Sequence, residues 1–334
     1  MSSTSASPTS LSSLPRPLLA AAGLIALAAV ALTLFAWPQA HSAPHELPIG
    51  VAGPDQAVAP VEQRLAARGD DFDVERYADE AAARDAIEDR EVYGAIVASE
   101  ERPTLLTAPA ASAPVAQMLE QAAAQISERI SVVQVVPAPP DDPRGAAFSS
   151  SVLPMIMLGI AAGALSVLVA RPLVGSLAFI AAGSALAGLT AVAIAQGWLG
   201  VLEGGWLQNA GAFALAIFAI GSTVAGLFRL IGPPGIAIAA LLFVLVGNPW
   251  SGVATAPELL PPAGGAIGQL LPPGAAGDLV RGTAFFDGAA TAGSLVVLLG
   301  WAAFGLAVQA LALRRGQARR ARPAAAAAAP AQPG

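Results

Sequence analysis

The chain of 334 residues contains no cysteine and no lysine. Disulfides, thiolate catalysis, cysteine-ligated zinc or iron–sulfur centres, Schiff-base chemistry and a Walker-type phosphate lysine are therefore all excluded. Charge is scarce as well, at 12% of residues where an ordinary soluble domain carries about a quarter. Only 2 histidines occur, and neither G-x-S-x-G nor H-E-x-x-H is present, so no nucleophile or zinc-hydrolase constellation points to an enzyme. The net charge of −6 gives no reason to expect a nucleic-acid partner.

What the chain has instead is hydrophobicity, at 55% of residues with a mean hydropathy of +0.64, and an uneven distribution of charge. From His45 to Arg144 there are 19 acidic residues and 8 arginines; from Gly145 onward there are 4 acidic residues (Glu203, Glu258, Asp278, Asp287) and 8 arginines; the first 44 residues carry only Arg16. One acidic polar block is thus enclosed by two apolar ones.

About 20 apolar residues cross a hydrocarbon layer roughly 30 Å thick. Leu18 to Trp37 is such a run, bounded by Pro17 and Pro38, with Trp37 suited to an interface. Val152 to Ala170, Leu173 to Ala195, Gly211 to Phe228 and Ala289 to Leu313 are others, and Gly235 to Gly247 is a shorter one. Counting the short run as a span, with the N-terminus inside, puts Arg16, Arg171, Arg229 and the cluster Arg314, Arg315, Arg319, Arg320 and Arg322 on the cytoplasmic side, as the positive-inside rule requires. The acidic block, Glu203, Glu258, Asp278 and Arg281 then fall outside. Ala40 and Ser42 imitate a signal-peptidase site, but the first apolar run exceeds the usual length of a signal core, and an uncleaved anchor is expected.

Between 45 and 145 the pattern is that of a small α/β domain. Ile49 to Ala52, Phe72 to Tyr77, Tyr93 to Ala98, Thr104 to Thr107 and Val132 to Val136 read as strands. Val58, Val61 and Leu65 mark one helix; Asp79 caps a second that carries Ala83 and Ile87; Val115, Leu119, Ala122 and Ile126 mark a third. Asp70, Asp71, Asp73 and Glu75 lack the glycine-centred spacing of a calcium loop and read as a solvated acidic loop. His41, His45 and Glu46 likewise read as a polar linker rather than a metal site.

The expected fold is therefore a multi-pass α-helical membrane protein of six transmembrane helices, with the α/β domain (45–145) inserted on the extracytoplasmic side between helix 1 (16–38) and a five-helix membrane domain (151–313). The ends, 1–15 and the Arg then Ala/Pro-rich 314–334, read as tails, disordered at the serine-rich start and over 323–334. No ionisable residue falls at mid-membrane depth, which disfavours ion-coupled carriage. Gly159 and Gly163 form a GxxxG, with Gly183, Ala187 and Gly188 at similar spacing, and intramolecular packing is preferred over dimerisation for them. Residues 257–288, with Pro261/Pro262, Pro272/Pro273 and Phe285/Phe286, read as a broken external hairpin, re-entrant or interfacial, in which helices stop at the paired prolines.

The order of these parts resembles the type-2 ABC exporter permeases, in the branch that includes the phage-infection-protein-like membrane proteins. The segments that carry the likeness are Leu47-Pro48-Ile49-Gly50-Val51, Val92-Tyr93-Gly94-Ala95, Asp142-Pro143-Arg144-Gly145, and Leu271-Pro272-Pro273-Gly274-Ala275 followed by Arg281 and Phe285-Phe286-Asp287-Gly288; it covers roughly residues 15 to 315. The resemblance implies a plasma-membrane permease subunit in the lipid bilayer that dimerises, works with a separate cytoplasmic ATPase and moves hydrophobic or amphipathic compounds outward without a cofactor. ATPase contact, or simple topology anchoring, would then fall on cytoplasmic segments near Arg171, Arg229, Arg314 and Arg315. The alternative is a non-transporting membrane protein whose external domain binds an envelope partner or acts as a surface receptor.

Overall fold

The computed structural model describes residues 16–99, 102–126, 129–170 and 172–327, with 318–327 as backbone only. Five helices are long and apolar enough to cross a membrane, and a small sheet lies between the first and second of them. This is the architecture of a multi-pass membrane protein.

The first helix, α1 (Arg16–Ala40), buries only Pro38 and meets the rest of the chain near its end, where Trp37 stacks on Trp250 at 5.7 Å. The sheet domain follows as β1 (Leu47–Ala52), α2 (Asp55–Ala66), β2 (Phe72–Tyr77), α3 (Glu80–Glu88), β3 (Gly94–Val97), β4 (Thr104–Thr107), α4 (Ala113–Ile126) and β5 (Ser131–Gln134). Strand order is β2-β1-β3-β4-β5, parallel except for the β3–β4 pair. Each element follows its local pattern. Asp79 caps α3 by accepting from Ala82 N at 2.9 Å, which satisfies one orphan donor of the first turn, and Ala83, Ala86 and Ile87 form its buried stripe. In α4 the expected stripe bends: Ala123, not Ala122, continues Val115 and Leu119, and Ile126 is 62% exposed. Both i+3 and i+4 lie on one helix face, and two alanines give the pattern nothing to choose between. Strands β3 and β5 are shorter than their apolar runs: Tyr93 and Val135 each keep one backbone bond to the neighbouring strand, to Pro48 O and Thr107 O, and pack on the core, but lie just outside the regular pairing.

The membrane block comprises α5 (Ala146–Ser150) running into α6 (Val152–Val169), α7 (Leu173–Val192) with a π-helical extension to Trp198, α8 (Trp206–Ile231), the short α9 (Pro234–Ala240) with a π-helical extension to Gly247, and α12 (Ala292–Ala327), preceded by α10 (Gly264–Gln269) and α11 (Pro272–Phe285). α8 is the axis: 14 of its 26 residues are buried, which requires neighbours all round, and α6, α7, α11 and α12 supply them. The glycines decide how close these helices come. A Cβ on Gly159 would lie 2.7 Å from Ile220 Cβ, and one on Gly163 would lie 2.4 Å from the Gly221 carbonyl oxygen, so this GxxxG face is spent within the chain. Gly188 packs on Ala210, whereas Gly183 faces open space. Polar side chains fasten α8 to α12: Gln309 Nε2 donates to Ser222 O at 3.2 Å and Thr223 Oγ1 to Trp301 O at 3.2 Å.

Contacts at the loops sort the helix ends. On the sheet side, Gly200 lies beside Asp141, Gly204 beside Thr283, and Ser149 Oγ donates to Val253 O at 3.3 Å. At the opposite end Arg229 Nη2 donates to Ala170 O at 3.4 Å, and Gly235 abuts Leu227. The short helix therefore starts beside the last turns of α8 and finishes against Pro273, although its 14 residues extend only about 20 Å. Glu203, Glu258 and Asp278 lie on the sheet side with the acidic residues of the domain itself, while Arg229, Arg314 and Arg315 lie at the other end. Four of the 5 tryptophans, Trp37, Trp198, Trp206 and Trp250, also sit toward the sheet side, whereas Trp301 lies deeper in the bundle beside Thr223 of α8.

Two expectations about chain ends change. Pro272 and Pro273 do not stop a helix but open α11 as its first two residues, where a missing N–H costs nothing and the fixed φ suits the helix. The last helix continues past Leu313 to Ala327, so the stretch 323–327, expected to be disordered, is helical; alanine has the highest helix propensity of any residue. Residues 1–15, 328–334 and Arg171 lie outside the described residues.

Candidate functional site

The sheet domain meets the membrane block at residues 256–259, at α11 and at Phe286, and Arg90, Glu258, Asp278 and Arg281 gather at this joint. α10 and α11 form a broken helical pair, interrupted at Leu270 and Leu271. Their tip is marked by Leu270 O, which accepts from Trp301 Nε1 at 2.9 Å, and Trp301 is roughly 14 Å along α12 from its start at 1.5 Å per residue. Backbone that breaks inside a helical bundle leaves polar groups that the surrounding protein must satisfy or enclose. Here Gly268 permits it: a Cβ would stand 1.6 Å from Trp250 O, so only glycine lets α10 lie on that turn. Pro272 to Gly277 are all buried.

From the sheet side, α3 ends at Asp89, and Arg90 follows with φ +63°, at a position helices commonly give to glycine. The left-handed arginine costs on the order of 1 kcal/mol locally. Its reward lies across the joint: Nη2 donates to Asp278 Oδ1 on α11, and the guanidinium sits 5.4 Å above the Phe286 ring. The pair is largely desolvated, with side chains 13% and 23% exposed. Asp278 also accepts from the Ser294 hydroxyl on α12. A second link runs from Tyr93, just before β3, whose hydroxyl donates to Glu258 Oε2 at 2.8 Å, while the backbone N–H groups of Ala43 and His45 donate to Leu259 O and Glu258 O. The third is Arg281, which donates from Nη2 to Val253 O at 2.7 Å and stacks 4.9 Å from the Phe148 ring. Expected as an external loop residue, it is only 8% exposed. Burial, then the neighbouring Arg90, lowers its pKa to about 10, so it remains charged at neutral pH.

Between these links opens a cleft of about 780 Å³, bounded by His45, Glu46, Asp70, Glu91 and Tyr93 on the sheet side and by the Pro261–Ala266 segment, Gln269, Asp278 and Arg281 on the membrane side. A volume of this size matches small-molecule sites. Among the described residues no group of three or more His, Cys, Asp or Glu is placed to hold a metal ion; His41 instead lies 3.0 Å from Trp37 O, and Asp71 pairs with Arg68 at 3.2 Å.

The hairpin residues singled out from sequence converge on this joint. Pro261 and Pro262 line the cleft, Pro272 and Pro273 are its buried support, Phe285 meets Phe148 edge-on at 5.9 Å, and Phe286 enters the core of the sheet domain at 5% exposure. Arg229, Arg314 and Arg315 are at the other end of the bundle, Arg314 and Arg315 exposed on α12. Arg90 and the roles of Tyr93, Glu258 and Asp278 were missed. The available signal was Glu258 and Asp278 themselves, acids placed in an otherwise apolar stretch.

The chain has 2 tyrosines, and both hydroxyls titrate above their ordinary range. Burial followed by the Glu258 carboxylate raises Tyr93; burial followed by Glu75 and Glu91 raises Tyr77. Because the folded pKa values exceed the unfolded ones, this stabilisation is fully present below about pH 10, the ordinary tyrosine value, and is lost as pH climbs toward the folded values. Tyrosinate absorbance at 295 nm is accordingly expected to stay flat through pH 10 and to rise together with unfolding. A normal titration centred near pH 10 in the folded protein would contradict this placement.

Comparison with protein-family models, with curated proteins and with solved structures finds no match to this chain.

Proposed function

We propose that the chain is the membrane subunit of an exporter driven by a separate ATPase, crossing the plasma membrane six times with both termini in the cytoplasm and the sheet domain outside, and moving hydrophobic or amphipathic compounds outward. The observation that carries this reading is the broken pair α10–α11, whose break lies beside Trp301 and which in this topology enters the membrane from the outer face and returns. Irregular backbone at membrane depth is maintained only where protein encloses it or a cavity needs it, and here it forms the membrane-side wall of a polar cleft between the bundle and the sheet domain. Two further facts support the orientation: arginines cluster at the end opposite the sheet, as cytoplasmic ends do, and four of the 5 tryptophans, all but Trp301, collect at the sheet-side level, as in an interfacial belt. In this reading the short helix supplies the sixth crossing: it begins beside Leu227, in the last turns of α8, and runs back toward Pro273.

ATP hydrolysis belongs to another chain, because a Walker lysine is absent. The exposed Arg314 and Arg315, with the Gly232–Pro234 turn, are the surfaces offered to that partner. The alternative, a non-transporting protein whose external domain binds an envelope partner, is favoured by one observation: the cleft and its carboxylates belong mainly to the sheet-side face. Affinity purification from the native membrane separates the two. The exporter reading expects a nucleotide-binding subunit to co-purify and its ATP turnover to rise with lipophilic compounds; purification that never recovers an ATPase would overturn it.

A further inference from the structure

The cleft has a charge pattern that selects a ligand. Five carboxylates and two guanidiniums line it. Tyr93 engages Glu258 and Arg90 engages Asp278, which leaves Glu46, Asp70 and Glu91 turned to the cavity with no cation paired to them among the described residues. That imbalance attracts positive charge. The opposite requirement comes from the arginines. Arg281 is 92% buried (8% exposed), and its Nε has no hydrogen-bond partner; Nη1 of Arg90 has none either. Those two atoms are enclosed by protein, but both residues also border the cleft and keep a small accessible edge, 13% of the Arg90 side chain and 8% of Arg281, so their remaining guanidinium N–H groups are donors to an acceptor supplied from the cavity. The Pro261, Pro262, Ala263 and Ala266 wall is apolar. It lies beside the tryptophan level, where an amphipathic molecule arrives from the bilayer surface.

We infer that the cleft binds an amphipathic amine: the ammonium against Glu46, Asp70 and Glu91, a carbonyl, sulfonyl or ether acceptor toward Arg281 and Arg90, and the apolar body along the Pro261–Ala266 wall. A simple metal cation does not fit, because the three carboxylates are not grouped as ligands and a metal offers the arginines nothing to accept their protons. An anion meets the carboxylates first. That the bound amine is the exported compound rests on the exporter reading above; that it binds does not.

The probe is monodansylcadaverine, a primary amine with a sulfonamide acceptor and an aromatic body, titrated into the full chain in nanodiscs and followed by dansyl fluorescence excited through tryptophan. Its N-acetyl analogue has the same body without the charge. Saturable binding is expected, with the amine about tenfold tighter than the acetylated probe, the gain that two close carboxylates give across a wet cleft. The double variant Glu46→Gln/Asp70→Asn removes two exposed carboxylates without touching an internal pair, so its thermal midpoint stays put while the preference for the amine falls to about twofold or less. Equal binding of the two probes, or an undiminished preference in the double variant, overturns the inference. No ATPase enters this assay: failure here leaves the exporter reading standing, and failure to find an ATPase leaves the binding site standing.

Discussion

Replacing Gly163 with leucine is expected to destabilise the membrane domain by about 3 kcal/mol, toward the upper end of the cost of overpacking a close-packed interior. The reason is the identity of the atoms it would meet. The Cβ alone would lie 2.4 Å from a backbone oxygen, Gly221 O, and 2.8 Å from Val224 Cβ, and neither is the end of a flexible side chain. α8 cannot retreat either, since α7, α11 and α12 hold its other faces. Gly183→Leu is the matched control: nothing lies within 4 Å of its Cβ position, and a change below about 0.5 kcal/mol is expected, as at an ordinary exposed site. Thermal unfolding of the two variants in the same nanodiscs makes the comparison. Equal midpoints would mean that α6 and α8 do not meet along this face.

The second large effect is at Arg90. Arg90→Ala strips a mostly buried carboxylate, Asp278, of its cation and leaves it only the Ser294 hydroxyl. Breaking one half of such a pair costs about 3 kcal/mol, and the loss falls on the joint rather than on either domain. Backbone amides of α11 should therefore exchange faster with deuterium while those of β1 and β2 stay protected, because local opening follows the weakened contacts. Arg90→Met with Asp278→Leu removes both charges and should recover most of the lost stability, since an apolar pair avoids the desolvation penalty altogether. An Arg90→Ala variant with unchanged exchange in α11 would show that the ion pair does not hold the two parts together.

What the sequence made legible follows from the range of the interactions involved. Apolar runs need only composition, and the runs beginning at Leu18, Val152, Leu173, Gly211 and Ala289 each correspond to a long helix. The domain's β-α-β-α-β-β-α-β order was equally local, being written in alternation, periodicity and the Asp79 cap. The joint was not local. Arg90 and Asp278 stand 188 positions apart, and Tyr93 and Glu258 stand 165 apart; no periodicity couples residues at that distance. Arg281 was misplaced for a related reason: a lone arginine in a Pro/Gly-rich stretch reads as solvated, and only the approach of Val253 and Phe148 makes its burial tolerable. The paired prolines carried two meanings, stop and start, and Leu271 in extended backbone ahead of them decides for a start.

The account depends most on the two ends of the bundle facing opposite sides of the membrane, and the chain is suited to the direct test because it has no cysteine of its own. Three single substitutions are made, Glu88→Cys in the sheet domain, Pro233→Cys before the short helix and Gln317→Cys on the last one, and intact cells are treated with a membrane-impermeant maleimide. The proposed topology requires labelling at 88 in intact cells and at 233 and 317 only after the membrane is opened. Labelling of all three from outside, or of 233 and 317 but not 88, would contradict it.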